Sequence, residues 1–268
     1  MRLKNSVVLV TGASSGIGRA TALAFAKKGA RLALGARRLD RLNAVAKLCL
    51  ERGSPDVSVR RLDVGQAADA HAFVAAALRD HDRIDVLVNN AGLGWMGRLH
   101  EMPEDKVDEL LATNLKGVIT TTQAALPAML ARRSGVIINV SSVVGFRASP
   151  YSAVYSATKH AVVGLSHALR GELSGSGVKV CVVYPGVTDT EFFNSTEVPV
   201  GPMYSASWVA NLIVRTAQFP RRDAIVMPLR LAQLAEPLFG GLMDHSLGEA
   251  RRLRSPHLSG TGLPPRKS

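Results

Sequence analysis

Short, continuously apolar stretches alternate with segments of helical periodicity along most of the chain. Residues 6–12 (SVVLVTG) and 84–92 (IDVLVNNAG) are typical of buried strands, whereas residues 39–53 (LDRLNAVAKLCLERG) place apolar side chains at helical spacing. Strands that are apolar throughout have both faces covered, which indicates a parallel sheet between helices. The predicted strands cover residues 6–12, 30–36, 56–64, 84–92, 135–142, 178–186 and 223–228.

The predicted helices separate these strands and complete an α/β architecture. They cover residues 16–29, 39–53, 67–81, about 103–133, about 150–174 and about 206–218. Right-handed crossovers between parallel strands then predict a Rossmann-type, doubly wound sheet of about seven parallel strands with helices on both faces. We expect a single domain over residues 1–254, with an amphipathic extension from about 229 and a disordered basic tail over 255–268.

Composition changes this picture little. The formal net charge is +12, but the basic residues are spread along the chain and aromatic residues make up only 5%. This distribution argues against a nucleic-acid partner and suits an anionic cofactor. The two cysteines, Cys49 and Cys181, lie far apart in apolar contexts, which indicates buried thiols and no metal site. We find no credible signal peptide and no apolar stretch long enough to span a membrane, so we expect a cytoplasmic protein.

Three glycines lie between the first strand and the first helix, in TGASSGIGRA. Gly12, Gly16 and Gly18 would let the backbone take positive φ and let a pyrophosphate approach the helix N-terminus. The spacing is G-x-x-x-G-x-G, which differs from both G-x-G-x-x-G and the P-loop. By themselves, these glycines are also compatible with nothing more than a tight turn.

Further motifs along the chain accompany the glycine loop. TGASSGIG, NNAG (89–92), SS (141–142), YSATK (155–159) and PG (185–186) follow one another in an order that resembles the short-chain dehydrogenase/reductase family, in its compact single-domain branch. The resemblance spans roughly residues 5–228 and implies an NAD(P)-dependent enzyme. The cofactor-binding residues that it implies are Gly12, Ser14, Ser15, Gly16, Ile17, Gly18, Arg37, Arg38, Asp63, Val64, Asn90, Ala91, Gly92, Tyr155, Lys159, Pro185, Gly186, Thr188 and Thr190. Thr188 departs from the aliphatic residue usual in the family, and Asn89 could instead bond strand to strand.

The end of the second strand predicts which dinucleotide binds. NAD-specific folds place an acidic residue there to bind the ribose 2′-hydroxyl. This chain has Ala36, followed by Arg37 and Arg38, and a guanidinium can pair with a 2′-phosphate. We therefore favour NADP(H), with NAD(H) as the alternative; the arginines could also be solvated loop residues.

The reacting centre is predicted from a tyrosine and a lysine four residues apart. Tyr155 and Lys159 would share one helix face, and a nearby ammonium and an oxidised nicotinamide ring would lower the tyrosine pKa. Tyr151 also lies one turn from Tyr155 but has no lysine four residues on, so we expect it to line the substrate mouth. Ser142, rather than Ser141, is the matching serine.

The family resemblance implies that Asn114 is a fourth catalytic residue. This residue lies in the apolar stretch LLATNLKGV, where asparagine is disfavoured in a helix. The resemblance implies a helix break that holds a water and extends a proton relay from Lys159. A satisfied polar group between helices is the alternative.

The substrate mouth is expected to be apolar. Its predicted residues are Gly94, Trp95, Met96, Tyr151, Phe192, Phe193 and Met203. We therefore predict an NADP(H)-dependent oxidoreductase that interconverts a lipophilic ketone or aldehyde and an alcohol. The alternatives are a 3-oxoacyl-carrier-protein reductase and a non-catalytic NADP(H)-binding scaffold. The resemblance also implies a homodimer or homotetramer and hydride transfer at the pro-S face of the nicotinamide.

Overall fold

The computed structural model describes residues 1–192, 203–225 and 245–250. Within them, a seven-stranded sheet has the order β3-β2-β1-β4-β5-β6-β9, and every neighbouring pair is parallel. Its strands are β1 Val7–Thr11, β2 Arg31–Ala36, β3 Val57–Arg61, β4 Val86–Asn89, β5 Gly135–Val140, β6 Val178–Tyr184 and β9 Asp223–Ile225. The predicted doubly wound α/β fold is confirmed.

Helices connect the strands and cover both faces of the sheet. They are α1 Gly16–Ala26, α2 Leu39–Glu51, α3 Ala67–His81, α4 Glu104–Leu111, α5 Gly117–Ala131, α6 Ala153–Glu172 and α7 Ala206–Gln218. One apolar cluster lies under α1, α2 and α7, and a second lies under α3 and α5. The central strands β1, β4 and β5 are buried along their whole length, which explains their uninterrupted apolar sequences.

The order of the strands determines where a ligand can bind. The chain runs outward from β1 to β3 and then returns to add β4 on the other side of β1. At this reversal the loops that follow β1 and β4 diverge, which opens a crevice at the carboxyl ends of the strands. The glycine loop follows β1, and the NNAG motif begins at the end of β4.

Some boundaries differ from the predicted ones. The helix expected from about residue 150 begins at Ala153, and β3 ends at Arg61, before Asp63. A separate two-stranded parallel sheet, β7 Thr188–Asp189 with β8 Tyr204–Ser205, was not predicted, because two residues are too few to form a recognisable pattern.

Parts of the predicted C-terminal region lie outside the described residues. These are 226–228 of the last predicted strand, most of the extension from 229 and the predicted tail over 255–268. Residues 245–250 are helical. Among the described helices, none has the length and apolar character needed to cross a membrane.

Candidate active site

The glycine loop and the start of α1 form an anion-binding cradle. Gly12 and Gly16 have φ values of 67° and 52°, in the region that favours glycine. The Ser15 side chain at the start of α1 makes no capping hydrogen bond to the helix backbone, and the first turn of α1 contains no acidic residue. The backbone N–H groups at this helix start are therefore available to an anion, and the cradle fits the pyrophosphate of a dinucleotide.

The loop after β4 holds the glycine loop in place. The side chain of Asn90 donates to the Thr11 carbonyl over 3.0 Å, and the backbone N–H groups of Asn90 and Ala91 each donate to Thr11 Oγ1 over 3.0 Å. Asn89 points elsewhere: it donates to Asn139 on β5 and to Thr122 on α5. The alternative role of Asn89, bonding strand to strand, is the one that the structure shows.

The remaining predicted cofactor residues border the same crevice. Asp63 Oδ1 accepts from the backbone of Gly65 over 3.0 Å, whereas the Val64 side chain is buried against Gly117. On the opposite side, Thr190 packs against Gly16, since a Cβ at that glycine would lie 3.2 Å from the Thr190 methyl. The other predicted cofactor residues lie in the segments that follow β1, β4 and β6; they are Ser14, Ile17, Gly92, Pro185, Gly186 and Thr188.

The two arginines after β2 have different partners. Arg37 lies 3.5 Å from Glu109 of α4. Arg38 turns towards the glycine loop and donates to Ser15 Oγ over 2.7 Å. Of the two, Arg38 therefore lies at the crevice, and Arg37 is held by α4.

Ser142, Tyr155 and Lys159 come together at the carboxyl end of β5. The Ser142 side chain lies close enough to Tyr155 to affect its pKa, and Lys159 Nζ lies 5.7 Å from the centroid of the Tyr155 ring. Lys159 is buried and donates to the Val140 carbonyl over 3.0 Å. Ser141 faces α6 and donates to the Lys159 carbonyl, so neighbouring serines have opposite directions, as they do along a strand.

In the protein without a bound cofactor, burial has the largest effect on the pKa values of Tyr155 and Lys159. It raises the pKa of Tyr155 to about 12, and the nearby Ser142 side chain acts in the opposite direction. Burial also lowers the pKa of Lys159 to about 8. The expectation that the nearby ammonium would lower the tyrosine pKa is therefore wrong for the protein alone, because removal from water disfavours the phenolate more strongly.

We expect Lys159→Met to stabilise the protein most at low pH. Below a pH of about 8 the wild type buries a charged lysine, whereas the unfolded chain keeps its lysine charged up to its ordinary pKa of 10.5. Wild-type stability should therefore rise relative to the variant as pH increases between these two values. Thermal unfolding of both proteins across this range measures the difference. A gap in melting temperature that stays constant or widens with pH would contradict the account.

Asn114 lies in a π-helical turn, Ala112–Lys116, between α4 and α5. It is fully buried, its Oδ1 accepts from the Leu93 backbone over 2.8 Å, and its Nδ2 donates to the Leu93 carbonyl and to Thr158 Oγ1. The helix is therefore interrupted where the sequence predicted a break. A Cβ at Gly92 would lie 3.4 Å from Asn114 Oδ1 and 3.5 Å from Lys159 Nζ, so both groups lie beside this glycine.

Tyr151 lies in the turn before α6, so the prediction that the helix begins at about residue 150 and includes Tyr151 is wrong. Its φ is 63°, an uncommon value for a residue other than glycine. Its carbonyl accepts from Gly97 N over 2.8 Å, which joins the turn before α6 to the 93–102 segment. Tyr151 lines a surface cavity of about 360 Å³ with Gly97, Arg98, Leu99, His100, Pro150, Ala153 and Gly248.

Aromatic side chains lie beside the reacting centre. The Phe192 ring packs on Gly94, where a Cβ would lie 2.7 Å from it, and its centroid is 5.7 Å from that of Tyr155. Trp95 folds over Gly97. Met96 follows in the same segment, Met203 is exposed before β8, and Phe193 lies outside the described residues.

Three residues at this site were missed in the sequence. Thr11 binds the NNAG backbone through its hydroxyl, and Arg41 and Glu191 form an ion pair with 2.6 Å between Nη1 and Oε2. Arg41 lies one helical turn after Arg38, so its position was recognisable. Glu191 is 150 residues away in the chain, and nothing in the sequence indicated the contact. Among the described residues, no group of three or more His, Cys, Asp or Glu is arranged to hold a metal ion.

The fold and the site together define a class of protein. Comparison with known proteins identifies that class. A family model described as short chain dehydrogenase matches residues 6–207. The chain therefore belongs to the short-chain dehydrogenase/reductase family, and it is an NAD(P)-dependent oxidoreductase.

Relatives and solved structures agree with this assignment. An uncharacterized oxidoreductase of Staphylococcus saprophyticus is 41% identical over 191 residues, which are 70% of this chain and 76% of the relative. A 3-oxoacyl-[acyl-carrier-protein] reductase of Thermotoga maritima is 39% identical over 191 residues, 71% of this chain and 77% of the relative. An alcohol dehydrogenase from Thermococcus sibiricus, complexed with 5-hydroxy-NADP, superposes with a TM-score of 0.75 at 34% identity, covering 82% of this chain and 94% of that one. A Burkholderia phymatum family member in complex with NAD has a TM-score of 0.82 at 26% identity, covering 91% and 96%.

Proposed function

We propose that the protein is an NADP(H)-dependent oxidoreductase that interconverts a lipophilic ketone or aldehyde and the corresponding alcohol. The observation that carries this proposal is the placement of Tyr155 between the Ser142 side chain, which lowers its pKa, and the buried Lys159, whose Nζ lies 5.7 Å from the Tyr155 ring. Carbonyl reduction needs a proton donor for the developing alkoxide and a hydrogen bond that orients the carbonyl. Tyr155 is the proton donor and acceptor, and Ser142 orients the substrate oxygen.

Lys159 serves the same reaction from the cofactor side. The bound dinucleotide supplies or accepts the hydride. An ammonium has three donors, and Lys159 uses one of them on the Val140 carbonyl, so others are available for ribose hydroxyls. Asn114 lies close enough to Lys159, beside Gly92, to support the proposed relay through a water.

The preference for NADP(H) rests on the residues after β2. Ala36 stands where an acidic residue would repel a 2′-phosphate, and Arg38 is bonded to Ser15 of the glycine loop. A guanidinium at this position can pair with a phosphate dianion. The Thermococcus structure contains an NADP derivative and the Burkholderia structure contains NAD, so both cofactors occur among similar proteins.

The substrate class is inferred from the aromatic rings near Tyr155. Phe192 and Trp95 offer apolar surface at the mouth, which favours a lipophilic carbonyl compound over a sugar. Tyr151 and the cavity that it lines extend this surface towards residues 245–250.

A panel of ketones, aldehydes and alcohols, assayed with NADPH, NADH and their oxidised forms, tests the proposal. We expect turnover of apolar carbonyl compounds with a higher kcat/KM for NADPH than for NADH. The loss of one charge-assisted contact to the 2′-phosphate suggests a preference of about tenfold or more. No turnover of any member of the panel would contradict the proposed reaction, and equal kcat/KM for the two cofactors would contradict the proposed cofactor.

A 3-oxoacyl-carrier-protein reductase is the second candidate. It is favoured by the similarity to the Thermotoga enzyme and by the net charge of +12, which suits an acidic carrier protein. This candidate predicts a steep loss of activity towards acyl-carrier substrates as salt is added, with little change towards a small, uncharged ketone.

The oligomeric state and the domain limits that we propose rest on the family resemblance. We propose a homodimer or homotetramer formed through residues 103–133 and 150–174, because Leu111 and Leu130 expose 42% and 39% of their surface on these helices. We further propose a single domain over residues 1–254, located in the cytoplasm.

A further inference from the structure

The segment after β7 reaches across the cofactor crevice to the start of α2. Glu191 Oε2 lies 2.6 Å from Arg41 Nη1 and 3.3 Å from Arg38 Nη1. The other terminal nitrogen of Arg38 donates to Ser15 Oγ over 2.7 Å. Ser15, Arg38 and Arg41 thus form a continuous row of polar side chains from the glycine loop to the first turn of α2, and the Glu191 carboxylate binds the two arginines.

Both neighbours of Glu191 contact the crevice. Thr190 packs against Gly16 of the glycine loop, and Phe192 packs on Gly94 and faces the Tyr155 ring. The segment 190–192 therefore joins three places: the phosphate cradle, the arginine pair and the reacting centre. The three contacts are made by consecutive residues and are separated by only two peptide bonds.

The arginine side chains that bind Glu191 are also suited to bind a ribose 2′-phosphate. Carboxylates and phosphates are both oxyanions that guanidinium groups bind through paired hydrogen bonds, and the phosphate carries the larger charge. The ion pair with Glu191 is exposed, since Glu191, Arg38 and Arg41 keep 62%, 44% and 46% of their side-chain surface accessible. An exposed ion pair is weak and can be exchanged for a stronger anion. Arg37 is engaged by Glu109 instead.

We propose that Glu191 competes with the 2′-phosphate of NADP(H) for Arg38 and Arg41, and that Arg41 is a cofactor-specificity residue. The inference rests on the proposed use of NADP(H). Binding of the phosphate displaces the carboxylate and releases segment 190–192 from the arginine pair. NADH and NAD⁺ have no group that displaces it, so the segment stays bound to α2.

Affinities of the purified protein for NADPH, NADH, adenosine 2′,5′-bisphosphate and AMP test the competition. Glu191→Gln should tighten NADPH and the bisphosphate by about two- to fivefold and leave NADH and AMP unchanged, because the competing charge is lost. Arg41→Gln should weaken NADPH about tenfold and leave NADH unchanged. Glu109→Gln is the control: it removes a carboxylate, 36% exposed against 62% for Glu191, from the neighbouring Arg37 and should leave the NADPH affinity unchanged.

Hydrogen exchange of residues 188–192 provides a second measurement that does not depend on activity. We expect NADPH to increase exchange there in the wild type relative to NADH, and Glu191→Gln to show the increase without a nucleotide. If the wild type prefers NADPH but Glu191→Gln binds NADPH with unchanged affinity, the inference is overturned and the proposed function stands. If the wild type shows no preference between NADPH and NADH but Glu191→Gln prefers NADPH, the cofactor assignment is overturned and the competition is supported.

Discussion

Replacing Tyr155 by phenylalanine is expected to abolish turnover while the protein still folds and binds NADPH. The substitution removes only the hydroxyl beside Ser142, and the ring that packs near Phe192 remains. Loss of a positioned proton donor lowers kcat by about 10² to 10⁴. Steady-state oxidation of NADPH with the best carbonyl compound measures the loss, and a fluorescence titration measures cofactor binding.

Tyr151→Phe is the matched control for this prediction. It removes the same atom from a tyrosine four residues earlier, which lines the surface cavity and lies outside α6. We expect a modest change in substrate preference with kcat nearly retained. The role of Tyr155 would be wrong if both variants lost activity to the same degree, or if Tyr155→Phe remained active.

The second large effect is expected for Gly18→Ala. A Cβ at Gly18 would overlap the Gly12 carbonyl oxygen and lie 2.8 Å from its carbonyl carbon and 2.6 Å from Asn90 Nδ2. The glycine loop must therefore move, which costs about 1–3 kcal/mol of stability and disturbs the pyrophosphate cradle. We expect a lower melting temperature and an affinity for NADPH reduced by about tenfold or more.

Gly171→Ala, near the end of α6, provides the comparison. Nothing lies within 4 Å of a Cβ at this position, and alanine is a better helix former than glycine. The variant should bind NADPH like the wild type and melt at the same or a higher temperature. If Gly18→Ala behaved in the same way, the close approach of the glycine loop to Asn90 would not be needed for cofactor binding.

The sheet was predictable because its central strands are buried on both faces. Parallel strands such as β4 and β5 have no solvent face, so their apolar residues run without interruption and mark each strand. Family motifs at their carboxyl ends then located the candidate site. Ser142, Tyr155 and Lys159 could be chosen because strand alternation and helix spacing decide which side chains share a direction.

Features that depend on long-range contacts or on burial were not predictable. Tyr151 takes a positive φ in a turn that is tied to Gly97, a contact that no local pattern shows. The raised pKa of Tyr155 arises from its burial in the folded protein, which the sequence does not show. The Arg41–Glu191 ion pair joins residues 150 positions apart, and a surface charge in the sequence does not reveal its partner.

Transfer of deuterium from NADPH labelled at the 4-pro-S position tests the central claim most directly. The wild type should convert the best ketone or aldehyde of the panel to an alcohol with one deuterium on the carbinol carbon, as measured by mass spectrometry. NADPH labelled at the 4-pro-R position should give unlabelled alcohol, and Tyr155→Phe should give neither product in measurable amount. Unlabelled alcohol from the pro-S cofactor, or labelled alcohol formed by Tyr155→Phe at the wild-type rate, would contradict the account.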